Sequence, residues 1–153
     1  MRHLPLLPLL LVLAVTAAGV PAIGAPSSRG SVDDAALYNA AVAEAEGRNR
    51  AAIAAISGGD PARARVELAA LREAFGRLVE RWGKTRLAAV KGEPDGVTIM
   101  VDLPMRVVTA QMMIDFGRPD IATSSLVAVC RLLVALHVPP DPVAAAGCER
   151  DLP

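Results

Sequence analysis

Apolar residues along this chain fall into one unbroken block followed by four stretches with helical spacing. Residues 4–18 are almost wholly apolar. Further on, Tyr38, Val42, Ala45, Asn49, Ala52 and Ile56 are spaced by fours and threes, so they share one face of a helix. Ser31 is the expected N-cap of this first helix, with Asp33 and Asp34 in its opening turn where negative charge suits the dipole. Ser57-Gly58-Gly59 is its stop. Glu44 with Arg48 and Glu46 with Arg50 are i,i+4 pairs in the favourable order.

Asp60-Pro61 is a strong start signal, an N-cap followed by proline at the first helical position. From there Leu68, Leu71, Phe75, Leu78 and Trp82 step by 3, 4, 3, 4 and predict a seam against a partner helix. The second helix is expected to run to about Trp82, with continuation to Val90 as the alternative, and to carry Glu73–Arg77 and Glu80–Lys84 pairs along its outer side. Gly47 and Gly76 sit inside the two helices, at about 1 kcal/mol each against Ala, which a close backbone approach would explain.

Lys91 to Gly96 is a turn-rich break. The short β-branched run Val97–Val101 is expected to be extended or a buried loop. Asp102 is then read as the cap of a third helix, with Pro104 in its first turn, Leu103, Val107, Ala110 and Ile114 on its inner face, and Gly117 as its end. Pro119-Asp120 opens a fourth helix running to about His137. Leu126, Val127, Val129, Leu132, Leu133, Val134 and Leu136 wrap most of its circumference, so it should be the most buried of the four. Gly-Gly-Asp-Pro-Ala at 58–62 has an echo in Gly-Arg-Pro-Asp-Ile-Ala at 117–122. The predicted fold class is all-α, two helical hairpins forming a four-helix bundle.

Composition changes this picture at the N-terminus. The chain has 153 residues and is 53% hydrophobic. Part of that figure belongs to residues 1–25: a basic start at Arg2 and His3, the apolar run, then Ala17-Ala18-Gly19 and Ala22-Ile23-Gly24-Ala25. This is the layout of a secretory signal peptide. The expected organisation is therefore signal peptide 1–25, flexible leader 26–31, helical bundle 32–138 and a Pro-rich tail 139–153. The expected location is the periplasm or the exterior, with no stable membrane insertion once the signal is removed. The alternative is a tether held by residues 4–25.

Two cysteines remain beyond the signal, Cys130 and Cys148. In an oxidising compartment they are expected to pair, stabilising the fold by about 3 kcal/mol through a loop of moderate length. Neither a CxxC nor a CxxCH motif is present.

Charge adds a candidate surface. Lys plus Arg and Asp plus Glu both total 16, yet residues 48–91 hold ten basic and four acidic side chains. Arg63, Arg65, Arg72, Arg77, Arg81 and Arg86 make the second helix Arg-rich. This face either meets an anionic protein or envelope partner, or is neutralised by acidic neighbours in the fold. Nucleic acid is not expected, because export removes it and aromatic residues are only 3%.

No catalytic constellation is evident. Thr123, Ser124 and Ser125 read as first-turn residues, and Glu67, Glu73 and Glu80 as a solvated stripe. The chain is expected to be a non-enzymatic binding or structural accessory without a cofactor. The alternative is a haem or copper carrier using His137 and one of Met100, Met105, Met112 and Met113.

Overall fold

The structure is a computed structural model and describes residues 28–87 and 96–138, with side chains from residue 34 onward. Residues 1–25, expected to be a signal peptide, the tail 139–153 and Cys148 lie outside the described residues. Four helices follow in order: α1 (Ser28–Ser57), α2 (Pro61–Trp82), α3 (Gly96–Asp115) and α4 (Pro119–Val134). Among the described residues the fold is all-helical.

α1 packs along α2, and α3 along α4; α1 also touches α4, and α2 touches α3. Each helix thus has two neighbours in a closed order, as a bundle requires. α1 is buried at Tyr38, Val42, Ala45, Asn49 and Ala52, with Ile56 packed against the core from its edge. The α2 seam Leu68, Leu71, Phe75, Leu78 and Trp82 is buried along its whole length. α4 encloses Leu126, Val127, Val129, Leu132, Leu133 and Val134, the densest burial of the four helices.

The two hairpin turns are built alike. At the first, Asp60 N donates to Ala55 O (2.9 Å) and Gly59 N to Ile56 O (3.0 Å), with Gly59 at φ +72°. At the second, Arg118 N donates to Met113 O (2.7 Å) and Gly117 N to Ile114 O (3.1 Å), with Gly117 at φ +68°. Both are Schellman closures, in which a left-handed glycine lets the chain reverse and satisfies the last carbonyls. Each is followed by proline at the start of the next helix, Pro61 or Pro119. The Asp60 carboxylate also accepts from Arg63 N at 2.9 Å, whereas Arg118 makes no side-chain cap.

The echo in the sequence therefore extends to the structure. Gly117 lies 58 positions after Gly59 (117 minus 59), and the same shift carries buried positions onto buried positions. Ala45 maps to Leu103, Asn49 to Val107, Ala52 to Ala110, Ala64 to Ala122, Leu68 to Leu126, and Phe75 to Leu133.

Several expectations need correction. α1 begins at Ser28, so Ser31 lies inside the helix and not at its cap, and the leader 26–31 is partly helical. α2 ends at Trp82 without running on to Val90; the chain turns through residues 83–87. Val97–Val101 is not extended. It forms the first turns of α3, which places Asp102 and Pro104 in the helix interior. Burial decides this: Ile99 and Leu103 continue the spacing of Val107, Ala110 and Ile114 and are fully enclosed. That gain outweighs the modest helix propensity of valine and threonine and the backbone bond lost at Pro104. α4 stops at Val134, one turn before His137.

Gly47 and Gly76 do not mark close backbone approaches. A Cβ built at either one meets nothing within 4 Å.

Candidate interaction surfaces

Three of the six arginines on and just past the basic helix pair with acids within the fold. Arg65 Nε pairs with Asp115 of α3 at 2.8 Å, Arg77 with Glu44 of α1 at 2.8 Å, and Arg86, just past α2, with Asp34 of α1 at 3.0 Å. Arg48 of α1 reaches the other way, to Glu67 of α2 at 3.2 Å. The Glu44–Arg48 and Glu73–Arg77 pairs expected within single helices are thus replaced by bridges between helices. Glu46–Arg50 does form, at 3.9 Å. Arg81 stacks its guanidinium 4.5 Å over the Trp82 ring. Arg63 and Arg72 are exposed on the outer face of α2. Arg65 and Arg77 thus tie α3 and α1 to α2.

The most concentrated polar cluster sits at the α1–α2 corner, around a shallow recess formed by Asp34, Arg81, Trp82, Thr85 and Arg86. Asp34 accepts from Trp82 Nε1 and from Arg86 Nε, each at 3.0 Å. The Trp82 indole and the Arg86 guanidinium, in that order, hold the Asp34 carboxyl below the ordinary carboxylate value. Tyr38 meets Trp82 edge to face at 5.5 Å and lies under Arg86 at 5.5 Å. Its hydroxyl is buried with no hydrogen-bond partner, and burial pushes its pKa up to about 12.

A second polar seam joins α1 to the end of α4. His137 Nε2 lies 2.9 Å from Glu46 Oε1, and both side chains are largely buried. A carboxylate only accepts, so Nε2 donates. Asn39 grips the Val138 backbone twice: its Nδ2 donates to the carbonyl at 2.8 Å and its Oδ1 accepts from the amide at 3.1 Å. Asn49 Nδ2 donates to Leu126 O at 3.0 Å.

His137 is therefore engaged as a clasp. Of the methionines proposed to join it in a metal or haem site, Met100 and Met113 pack against the core, while Met105 and Met112 face solvent. Among the described residues, no three His, Cys, Asp or Glu side chains converge as a ligand set. Thr123 is buried, and Ser124 returns its hydroxyl to the Asp120 carbonyl at 3.1 Å, in keeping with first-turn roles. Cys130 and Val134 form a small buried cluster on α4, apart from the main core. Where the two hairpin turns face each other, Ile56, Gly59 and Pro61 with Ile114, Gly117 and Pro119 line an apolar notch of about 210 Å³.

α3 carries a surface that the sequence reading missed. Besides its buried face, it presents Val97, Val101, Met105, Val108, Met112 and, one residue past its end, Phe116 to solvent. Their exposures are 57, 63, 63, 44, 48 and 70%. These residues step by 4, 4, 3, 4, 4 and form one stripe along the outside of the helix. The helix is long and apolar enough to cross a membrane, but Ile99, Leu103, Val107, Ala110 and Ile114 are already buried in the core. Reading 97–101 as extended broke the stripe in two, which is why it went unnoticed.

The repeat makes the stripe more telling. Shifted back by 58 positions, its residues fall on Asn39, Ala43, Gly47, Arg50, Ala54 and Gly58, the small and polar outer face of α1. The two hairpins share their buried pattern and differ on this face. Comparison with protein-family models, with curated proteins and with solved structures finds no match to this chain.

Proposed function

We propose that the chain is a small exported helical module that acts by docking to a protein, not by catalysis, and that the outer face of α3 is its docking surface. The observation that carries this reading is the uncharged stripe from Val97 to Phe116, with exposures between 44 and 70%. At that exposure, six such side chains present on the order of 600 Å² of apolar surface, at the upper end for a patch on an ordinary monomer. Solvent-facing apolar area of this size is a cost that a binding partner removes. The alternative surface, basic α2, has less to offer an anionic partner, since Arg65, Arg77 and Arg86 already hold acids of this chain. Export rests on the signal-like residues 1–25, and a Cys130–Cys148 disulfide belongs to the same proposal.

A photoreactive residue placed at Met105 or Met112 in the producing cell tests the docking face. Protein crosslinks are expected from these sites and not from Gly47 or Ala54, their counterparts on α1. Equal yields from both faces would overturn the reading.

A further inference from the structure

We propose that the partner of the α3 stripe is a second copy of this chain, docked antiparallel so that α3 lies against α3 about a two-fold axis between Met105 and Val108. The inference rests on the stripe being a protein-docking face and adds the identity and register of the partner.

The first argument is self-complementarity. In a two-fold contact, residue i of one copy meets residue j of the other, and j meets i. Reversing α3 on itself brings Val97 to Phe116, Val101 to Met112 and Met105 to Val108, because the residue numbers of every pair add to the same total. All six stripe residues find an apolar mate in one register, and small Val97 meets large Phe116. The 4, 4, 3, 4, 4 spacing reads the same in both directions, which a two-fold helix pair requires.

Charge is the second argument. α3 holds only Asp102, Arg106 and Asp115 as charged residues. Asp102 and Arg106 bridge each other at 2.8 Å, and Asp115 bridges Arg65 of α2 at 2.8 Å. No net charge is left along the face to repel an identical copy. The same neutrality disfavours a lipid surface, where an interfacial helix carries Lys and Arg along its flanks.

Area is the third. About 600 Å² from each copy gives roughly 1,200 Å² in all, the lower end of a specific interface. α3 spans about 30 Å, long enough for a helix-on-helix contact at the shallow crossing typical of antiparallel pairs.

Sedimentation equilibrium of the purified protein over a wide concentration range tests the proposal, with circular dichroism to verify that each variant stays helical. The expected mass is twice that of the chain. Met105→Glu sets a charge beside the axis in both copies and is expected to weaken the dimer by at least about a hundredfold, since such juxtapositions cost several kcal/mol. Ala43→Glu and Ala54→Glu on the equivalent face of α1 are expected to leave the mass unchanged. For the register, a mixture of V97C and F116C chains is expected to crosslink on mild oxidation, while neither crosslinks alone. A monomer at every concentration, or a dimer indifferent to Met105→Glu, overturns the proposal. A monomer that still crosslinks from Met105 to a different protein overturns the second copy and leaves the docking face standing. Binding to phosphatidylglycerol vesicles that Met105→Glu abolishes would overturn both.

Discussion

Replacing Tyr38 by Phe should make the protein more stable. The ring of Tyr38 is fully enclosed, and its ring contacts do not depend on the hydroxyl: it packs edge to face with Trp82 at 5.5 Å, and Arg86 covers its face at 5.5 Å. The hydroxyl is enclosed as well and has no partner. An unpaired buried hydroxyl costs about 1–3 kcal/mol in mutational series. Removing one oxygen leaves a small void, which at the usual volume coefficient returns only about 0.3 kcal/mol of that. The expected net gain is about 1 kcal/mol, read as a rise of about 4 °C or more in the thermal midpoint of a domain of this size. A pH series sharpens the test. Burial raises the pKa of Tyr38 to about 12 in the fold. The unfolded chain ionises nearer 10, so the parent keeps its full stability with respect to this group below about pH 10 and loses part of it as pH rises through 12. Phenylalanine has no proton to lose, so the advantage of Tyr38→Phe should widen across that window. A variant less stable than the parent by more than about 0.5 kcal/mol would refute the reasoning, because the hydroxyl would then have a partner worth keeping.

Gly47→Ala and Gly76→Ala, at open and exposed helical positions, should each stabilise by about 0.5–1 kcal/mol, whereas Gly59→Ala and Gly117→Ala, at positive φ, should each destabilise by about 1 kcal/mol; denaturant midpoints separate the two classes, and the same sign for all four would sink the argument. Asp34 has a lowered pKa, so its contribution is present above about pH 4 and is lost as pH falls through the folded value. Acid unfolding of Asp34→Asn should consequently be less pH-dependent than that of the parent; superimposable acid profiles would contradict this. Glu46→Ala and His137→Ala should each cost about 1–3 kcal/mol, and a double-mutant cycle should return a coupling of at least about 0.5 kcal/mol. Intact mass of the exported protein should correspond to a chain starting between Ile23 and Ser27, and should gain two hydrogens on reduction if Cys130 and Cys148 are bonded.

α2 and α4 were legible because their signals agree. Each opens with proline at the first helical position and carries an apolar pattern along its length, which ends with the helix at Trp82 in α2 and runs two residues past Val134, to Leu136, in α4. α3 was legible only in its second half. Its first turns are Val-Thr-Ile-Met-Val, residues that taken alone favour an extended chain, and helix forms there because Ile99 and Leu103 complete a buried face. Local preference yields to packing, and packing is invisible along a single strand of letters. The polar clusters were hidden for a related reason. Spacing can show that Glu44 and Arg48 share a helix face; it cannot show that Arg77, thirty-three residues away, offers Glu44 a better geometry. The glycines of the two turns were correctly read as stops, while Gly47 and Gly76 were credited with a close approach that does not occur.

The seam between α1 and the end of α4 governs when this protein can finish folding. Asn39, Glu46 and Asn49 find their partners 99, 91 and 77 residues downstream, at Val138, His137 and Leu126. Hairpin turns close over short stretches and form early; this seam closes almost the whole described chain and pays its loop entropy last. Until α4 and the residues just past it have been made, Glu46 Oε1 and the Asn49 amide lack the partners they meet in the fold, and burying them unpaired is costly. The first helix is thereby kept from completing its core until the last one arrives. Under the export proposed above, the chain would cross a membrane unfolded and would gain from a native state that only residues 126–138 can lock.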